Sequence, residues 1–221
     1  MLTSIATASY AMAAVAHSFL AILLLTSWRG RLHGIVLPIA CLFSALWAAA
    51  LAYQATQTSP LSLLTDVLEI MRNAGWSAFL ITLLGPYRQV NFSSIPRVRP
   101  AVAAIAVFYI ACLAIALYSH GNFYFSSHKT IDFINSIVAS VAMAIIGMIL
   151  VEQLYRNTPV KERWGIKFAC LGIGGVFAYD FYLYSDALLL RHMNPEIWTT
   201  RDIVNALIIP FVAVSTARNP Q

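Results

Sequence analysis

Pro100-Ala-Val-Ala-Ala-Ile-Ala-Val-Phe-Tyr-Ile-Ala-Cys-Leu-Ala-Ile-Ala-Leu-Tyr118 contains no charged residue in 19 positions. A bilayer hydrocarbon core needs about 20 such residues in a helix, because each adds only about 1.5 Å of rise. The run lacks the period-two alternation of a barrel strand. In lipid its backbone N–H and C=O groups must find partners within the segment, which a helix provides. This stretch therefore reads as a transmembrane helix.

Working outward, six more runs of the same kind appear. The seven spans are approximately 3–27, 34–53, 61–84, 100–118, 131–154, 164–189 and 201–216. The last is the shortest, and it needs Thr200, Arg201 and Asp202 as a polar first turn. The chain has 221 residues, of which 60% are hydrophobic and 10% charged. Its mean hydropathy is +0.74. A soluble domain has roughly 45–50% apolar and 25% charged residues, and a water-facing surface could not accommodate this excess. The fold class is thus an all-α membrane protein, a bundle of seven transmembrane helices in one domain over residues 1–221.

Punctuation supports the division. Ser59-Pro60 supplies a cap and a first-turn proline. Gly85-Pro86 is expected to end the third span, and Pro96, Pro159 and Pro195 mark connections. Pro38 and Pro210 fall inside spans and are expected to kink them. The first span has no basic residue before it, while Arg29 and Arg31 follow, the reverse of a cleavable signal peptide.

The net charge of +5 does not point to nucleic acid, because the basic residues sit in short connections. Arg29, Arg31, Arg88, Arg97, Arg99, Arg156, Lys161, Arg163, Lys167 and Arg218 fall on one side. Lys129, Arg191 and Arg201 fall on the other. The positive-inside rule then places the N-terminus outside and the C-terminus in the cytoplasm. Trp28, Tyr87, Trp164 and Trp198 lie at span ends, where interfacial aromatics belong. Cys41, Cys112 and Cys170 are in apolar runs without CxxC spacing and read as buried thiols.

Ionisable groups within a span carry a functional hypothesis by default. Asp66, Glu69, Arg72 and Asn73 share a sector of about 120° on the third span. The sixth span carries Tyr179, Asp180, Tyr182, Tyr184 and Asp186. Arg72 is ~16 Å and Asp180 ~15 Å from the outer ends of their helices. An ion pair between them is expected, either as structural glue or as a switch. Reversing both, Arg72→Asp with Asp180→Arg, is expected to restore part of what either change removes. A second constellation is an outer rim made of Tyr53, Tyr118, His120, Asp132, Arg201 and Asp202, with His128, Arg191 and His192 near it. It reads as a ligand vestibule or, more plainly, as solvated helix ends.

Other features read as structure. His17 in the first span reads as a hydrogen-bonded core histidine. Gly165, Ala169 and Gly172 form a small-residue stripe for close helix packing. Glu152 and Arg156 are an i,i+4 pair. No metal site is indicated. No GxSxG, HExxH, Walker or GxGxxG sequence is present, so no motif marks this chain as an enzyme.

Three stretches carry a resemblance. They are Val151-Glu-Gln-Leu-Tyr-Arg-Asn-Thr158 with Arg163-Trp-Gly-Ile-Lys-Phe168, the run from Phe177 to Leu189, and the ending from Val204 to Pro220. With Trp28-Arg-Gly-Arg31, they resemble the N-terminal membrane region of the PrsK family, the sensor histidine kinases of PEP-CTERM/exosortase systems in Gram-negative bacteria. The resemblance implies a continuation beyond Gln221 into a GAF-like region and an ATP-dependent kinase core. It also implies a downstream response regulator, an inner-membrane location and a possible homodimer. No cofactor belongs to the present chain, and ATP would serve the kinase core outside it. The expected function is therefore sensory input to a two-component system. The alternative is a small ion- or proton-coupled transporter using Glu69, Asp180 and Asp186.

Overall fold

In a computed structural model of the chain, which describes residues 2–26, 32–56, 62–88, 95–121 and 129–218, every apolar run is helical. The helices are α1 (Leu2–Thr26), α2 (Leu32–Gln54), α3 (Ser62–Arg88), α4 (Ile95–Gly121), α5 (Lys129–Asn157), α6 (Arg163–Leu190) and α7 (Pro195–Arg218). All seven are long and apolar enough to cross a membrane. No strand occurs among the described residues.

Three boundaries differ most from the sequence reading. Helix α4 begins at Ile95, so Pro96 lies in its first turn, where the missing N–H costs nothing, rather than in a connection. Helix α3 continues through Gly85 and Pro86 to Arg88. A proline near a helix end removes one hydrogen bond without removing the turn. Helix α7 starts at Pro195, about a turn and a half earlier than expected. The side-chain oxygen of Asn194 accepts a hydrogen bond from the Glu196 N–H at 3.0 Å, and Pro195 occupies the first helical position. The pair is a helix start rather than a loop marker. Helix α6 stops at Arg191, whose φ of 56° is left-handed and cannot continue the helix.

Helices α1, α2, α3, α5, α6 and α7 pack as a closed ring in that order, with α1 against α7, while α4 leans on α3 and α5 from outside. Adjacent α6 and α7 are antiparallel. Tyr179 Oη donates to the Ile197 carbonyl at 2.7 Å, and Ser215 Oγ donates to the Gly165 carbonyl at 2.8 Å.

The ring has two layers. One half is apolar and receives a buried side chain from each ring helix: Leu20, Cys41, Leu80, Leu154, Phe177 and Val212. Close approach there depends on small residues. A Cβ added at Gly147 would lie 2.4 Å from the Phe177 ring, and one at Gly172 would lie 2.9 Å from Phe211 Cβ. Gly165 and Gly172 thus serve the α6–α7 seam, where Ser215 and Phe211 meet them, and Ala169 is buried in the apolar layer. The other half contains Tyr10, Trp47 and Leu51 on one flank and Ile137, Leu183 and Tyr184 on the other. The charged side chains lie between these flanks and above the apolar layer.

Candidate functional site

Four ionisable side chains meet inside the ring: Glu69 and Arg72 from α3, Asp180 from α6 and Arg201 from α7. Arg72 and Arg201 are 1% and 0% exposed, and Asp180 is 2% exposed. Arg72 Nη2 donates to Asp180 Oδ2 at 2.5 Å. Arg201 Nε donates to the other carboxylate oxygen, Oδ1, at 2.7 Å. Asp180 therefore serves both arginines, one oxygen each. Arg201 Nη2 also donates to Glu69 Oε1 at 2.7 Å, and Tyr184 Oη donates to that same oxygen. Two cations and two carboxylates make the cluster charge-balanced. In a low-dielectric interior this matters, because an isolated buried ion costs several kcal/mol.

Neutral groups complete the shell. Arg72 Nη1 donates to Asn205 Oδ1 at 3.1 Å, and its Nη2 donates to Asn73 Oδ1 at 3.2 Å. Asn205 Nδ2 turns back to the Arg201 carbonyl at 2.9 Å. Both guanidinium groups face one indole: Arg72 Cζ is 4.1 Å and Arg201 Cζ 4.8 Å from the Trp47 ring centroid. Arg201 also has Tyr184 at 5.1 Å and Trp198 at 5.3 Å. Cation–π attraction is strongest where water is excluded, as here.

The sequence-predicted residues divide clearly. Glu69, Arg72, Asn73 and Asp180 are brought together, and Arg72 and Asp180 form a direct pair. Asp66 is half-buried one turn before Glu69. Tyr179 is tied to α7 by its hydrogen bond to Ile197. Tyr182 is 55% exposed and points away from the cluster, edge-on to Tyr179 at 6.4 Å. Asp186 has a buried Oδ2 without a partner among the described residues.

The outer rim is described only in part. Arg201 belongs to the central cluster, because the early start of α7 carries it a turn and a half into the helix. Tyr53 on α2 and Tyr118 on α4 are exposed and stand on helices that do not adjoin in the ring. The side chains of His120, Asp132 and Asp202 lie outside the described residues, as does His128.

Trp198 is half-buried against Arg201. His17 is buried, with Nδ1 2.9 Å from the Ala13 carbonyl. Glu152 and Arg156 pair at 3.1 Å on the surface. The three cysteines are buried and free, and no group of metal-ligating residues occurs among the described residues.

No protein-family model, curated protein or solved structure matches the chain. Its own geometry must carry the functional reading. Sequence reasoning missed Trp47, Trp198, Asn205 and the place of Arg201. Trp198, Arg201 and Asn205 are spaced i, i+3, i+7, a polar stripe in the weakest span that could have been noticed. Trp47 sits among alanines in an apolar run and offered no signal.

Proposed function

We propose that this chain is the transmembrane sensory input module of a two-component histidine kinase, of the kind its sequence resembles. One observation carries the reading. Helix α7 is fastened at one end into a charge-balanced cluster shared with α3 and α6, and it runs from there through the apolar layer to Arg218. A change in how Arg201 divides its bonds between Asp180 and Glu69 would move α7 against α6. Buried ion pairs suit this, because their arrangements are discrete and misalignment is costly. A stimulus shifts such an equilibrium only by its differential affinity for the two packings.

The arginine distribution gives the orientation. Connections at residues 157–162 and near residue 90 face the cytoplasm, and the charged half of the ring lies towards the outer leaflet of the inner membrane. The kinase core, its ATP and the response regulator would act beyond Gln221. A second copy would pair through that kinase region. The carrier reading is weaker, because Glu69 and Asp180 are both already bonded to arginine.

The test is twofold. The coding sequence is read beyond codon 221, where a GAF-like region and kinase core are expected. Autophosphorylation of the full-length protein in bilayers is then compared with that of its Glu69→Gln variant. A shifted kinase level supports the reading. A stop codon directly after Gln221, or an unchanged kinase level in a folded variant, overturns it.

A further inference from the structure

Three buried N–H donors around the Trp47 ring have no acceptor among the described residues: Arg72 Nε, Arg201 Nη1 and Trp47 Nε1. Their residues are 1%, 0% and 1% exposed. They belong to one neighbourhood, since both guanidinium carbons lie within 5 Å of the Trp47 ring centroid. Buried polar groups are nearly always hydrogen-bonded, and clustered exceptions indicate a missing partner. The cluster already has equal numbers of positive and negative groups, so an added anion would create net charge in a low dielectric.

Two further buried polar atoms without a partner among the described residues are acceptors, Gln54 Oε1 on α2 and Asp186 Oδ2 on α6. Gln54 is two turns along α2 from Trp47, on the same face, ~10 Å nearer the helix end. Asp186 is similarly ~9 Å nearer the end of α6 than Asp180. Orphaned acceptors near the rim and orphaned donors at the centre both lie in the charged half. The opposite end is closed by the apolar layer.

We propose that Arg72, Arg201 and Trp47 form an internal binding site for an uncharged hydrogen-bond acceptor, a water or a carbonyl-bearing small molecule. It enters past Gln54 and Asp186. A water at the centre would accept from two of the three donors, and separate waters along the path would donate to the two oxygens, each needing two to four partners to stay. A carbonyl compound would take the donors directly. The site supplies the ligand position that a sensory reading requires, but its occupancy does not depend on any kinase.

The test uses the indole N–H resonances of the ¹⁵N-tryptophan-labelled chain in nanodiscs. Trp47→Phe assigns the Trp47 signal. Should that variant not fold, replacing the other four tryptophans singly assigns it by elimination. Trp76, whose Nε1–H already donates to Ser44 Oγ at 3.0 Å, is the internal control. A cross-peak from Trp47 to water assigns water as the occupant. A shift of Trp47 on adding acetamide, with Trp76 unmoved, assigns an exchangeable carbonyl ligand. Either result supports the site. No water cross-peak and no acetamide response, or a response to sodium formate alone, overturns it. Kinase output is not read, so this site and the sensory function can fail separately.

Discussion

At the scale of single residues, Asp180 is the hub, because each of its oxygens serves a different arginine. This changes the outcome expected of charge reversal. Arg72→Asp with Asp180→Arg would restore an oppositely charged pair, but it would set a new arginine beside Arg201. The double variant should remain below the parent by ~3 kcal/mol, the order of a buried ion left without its partner. Reversible unfolding in detergent measures this, and full rescue would contradict the Asp180–Arg201 bond. The Arg72–Asp180 pair was legible in the sequence because two opposite charges at equal depth can be found by counting. The partnership with Arg201 was not. It depends on where α7 begins, and Asn194-Pro195 reads equally well as a connection or as a cap followed by a first-turn proline. Trp47 was illegible for a different reason: its role lies in the faces of its ring, which hydropathy scores as one more apolar residue.

Between elements, the packing rests on where glycine lets helices touch. Gly147 and Gly175 make a matched comparison on α5 and α6. Alanine at 147 would drive its Cβ into the Phe177 ring, whereas alanine at 175 meets nothing within 4 Å. Gly147→Ala should therefore destabilise the bundle by ~1–3 kcal/mol, as overpacking does. Gly175→Ala should be neutral or stabilising by up to ~1 kcal/mol through helix propensity. Thermal unfolding of the two variants side by side decides the point, and equal effects would mean the α5–α6 seam is looser than described. The existence of all seven helices was readable from run length alone. Their order in the ring was not, since every span presents an apolar face to lipid as well as to its neighbours. The outer position of α4 is a case in point: its run is the most apolar of the seven, with a mean hydropathy of 2.5, and it is the least buried.

For the whole molecule, lipid as solvent explains both the apolar exterior and the charge-balanced interior. Large side chains such as Val107, Ile110 and Leu189 are well exposed on the helix surfaces, where only hydrocarbon or a protein partner could cover them. The proposed orientation makes a separate prediction. Single cysteines placed at Lys161 and at His192, in a background with the three native cysteines replaced, should label from opposite sides. A membrane-impermeant maleimide added to intact cells should reach position 192 and not 161, and labelling of 161 alone would invert the bundle. The central claim is that Glu69, Arg72, Asp180 and Arg201 form a desolvated cluster whose members are stable only together. The direct measurement compares unfolding free energies in one detergent for Asp180→Asn and for the fourfold variant Glu69→Gln, Arg72→Met, Asp180→Asn, Arg201→Met. The single change should cost ~3–5 kcal/mol and the fourfold change distinctly less, because it leaves no uncompensated charge. A single variant as stable as the parent would show that these four charges are not sequestered from water together.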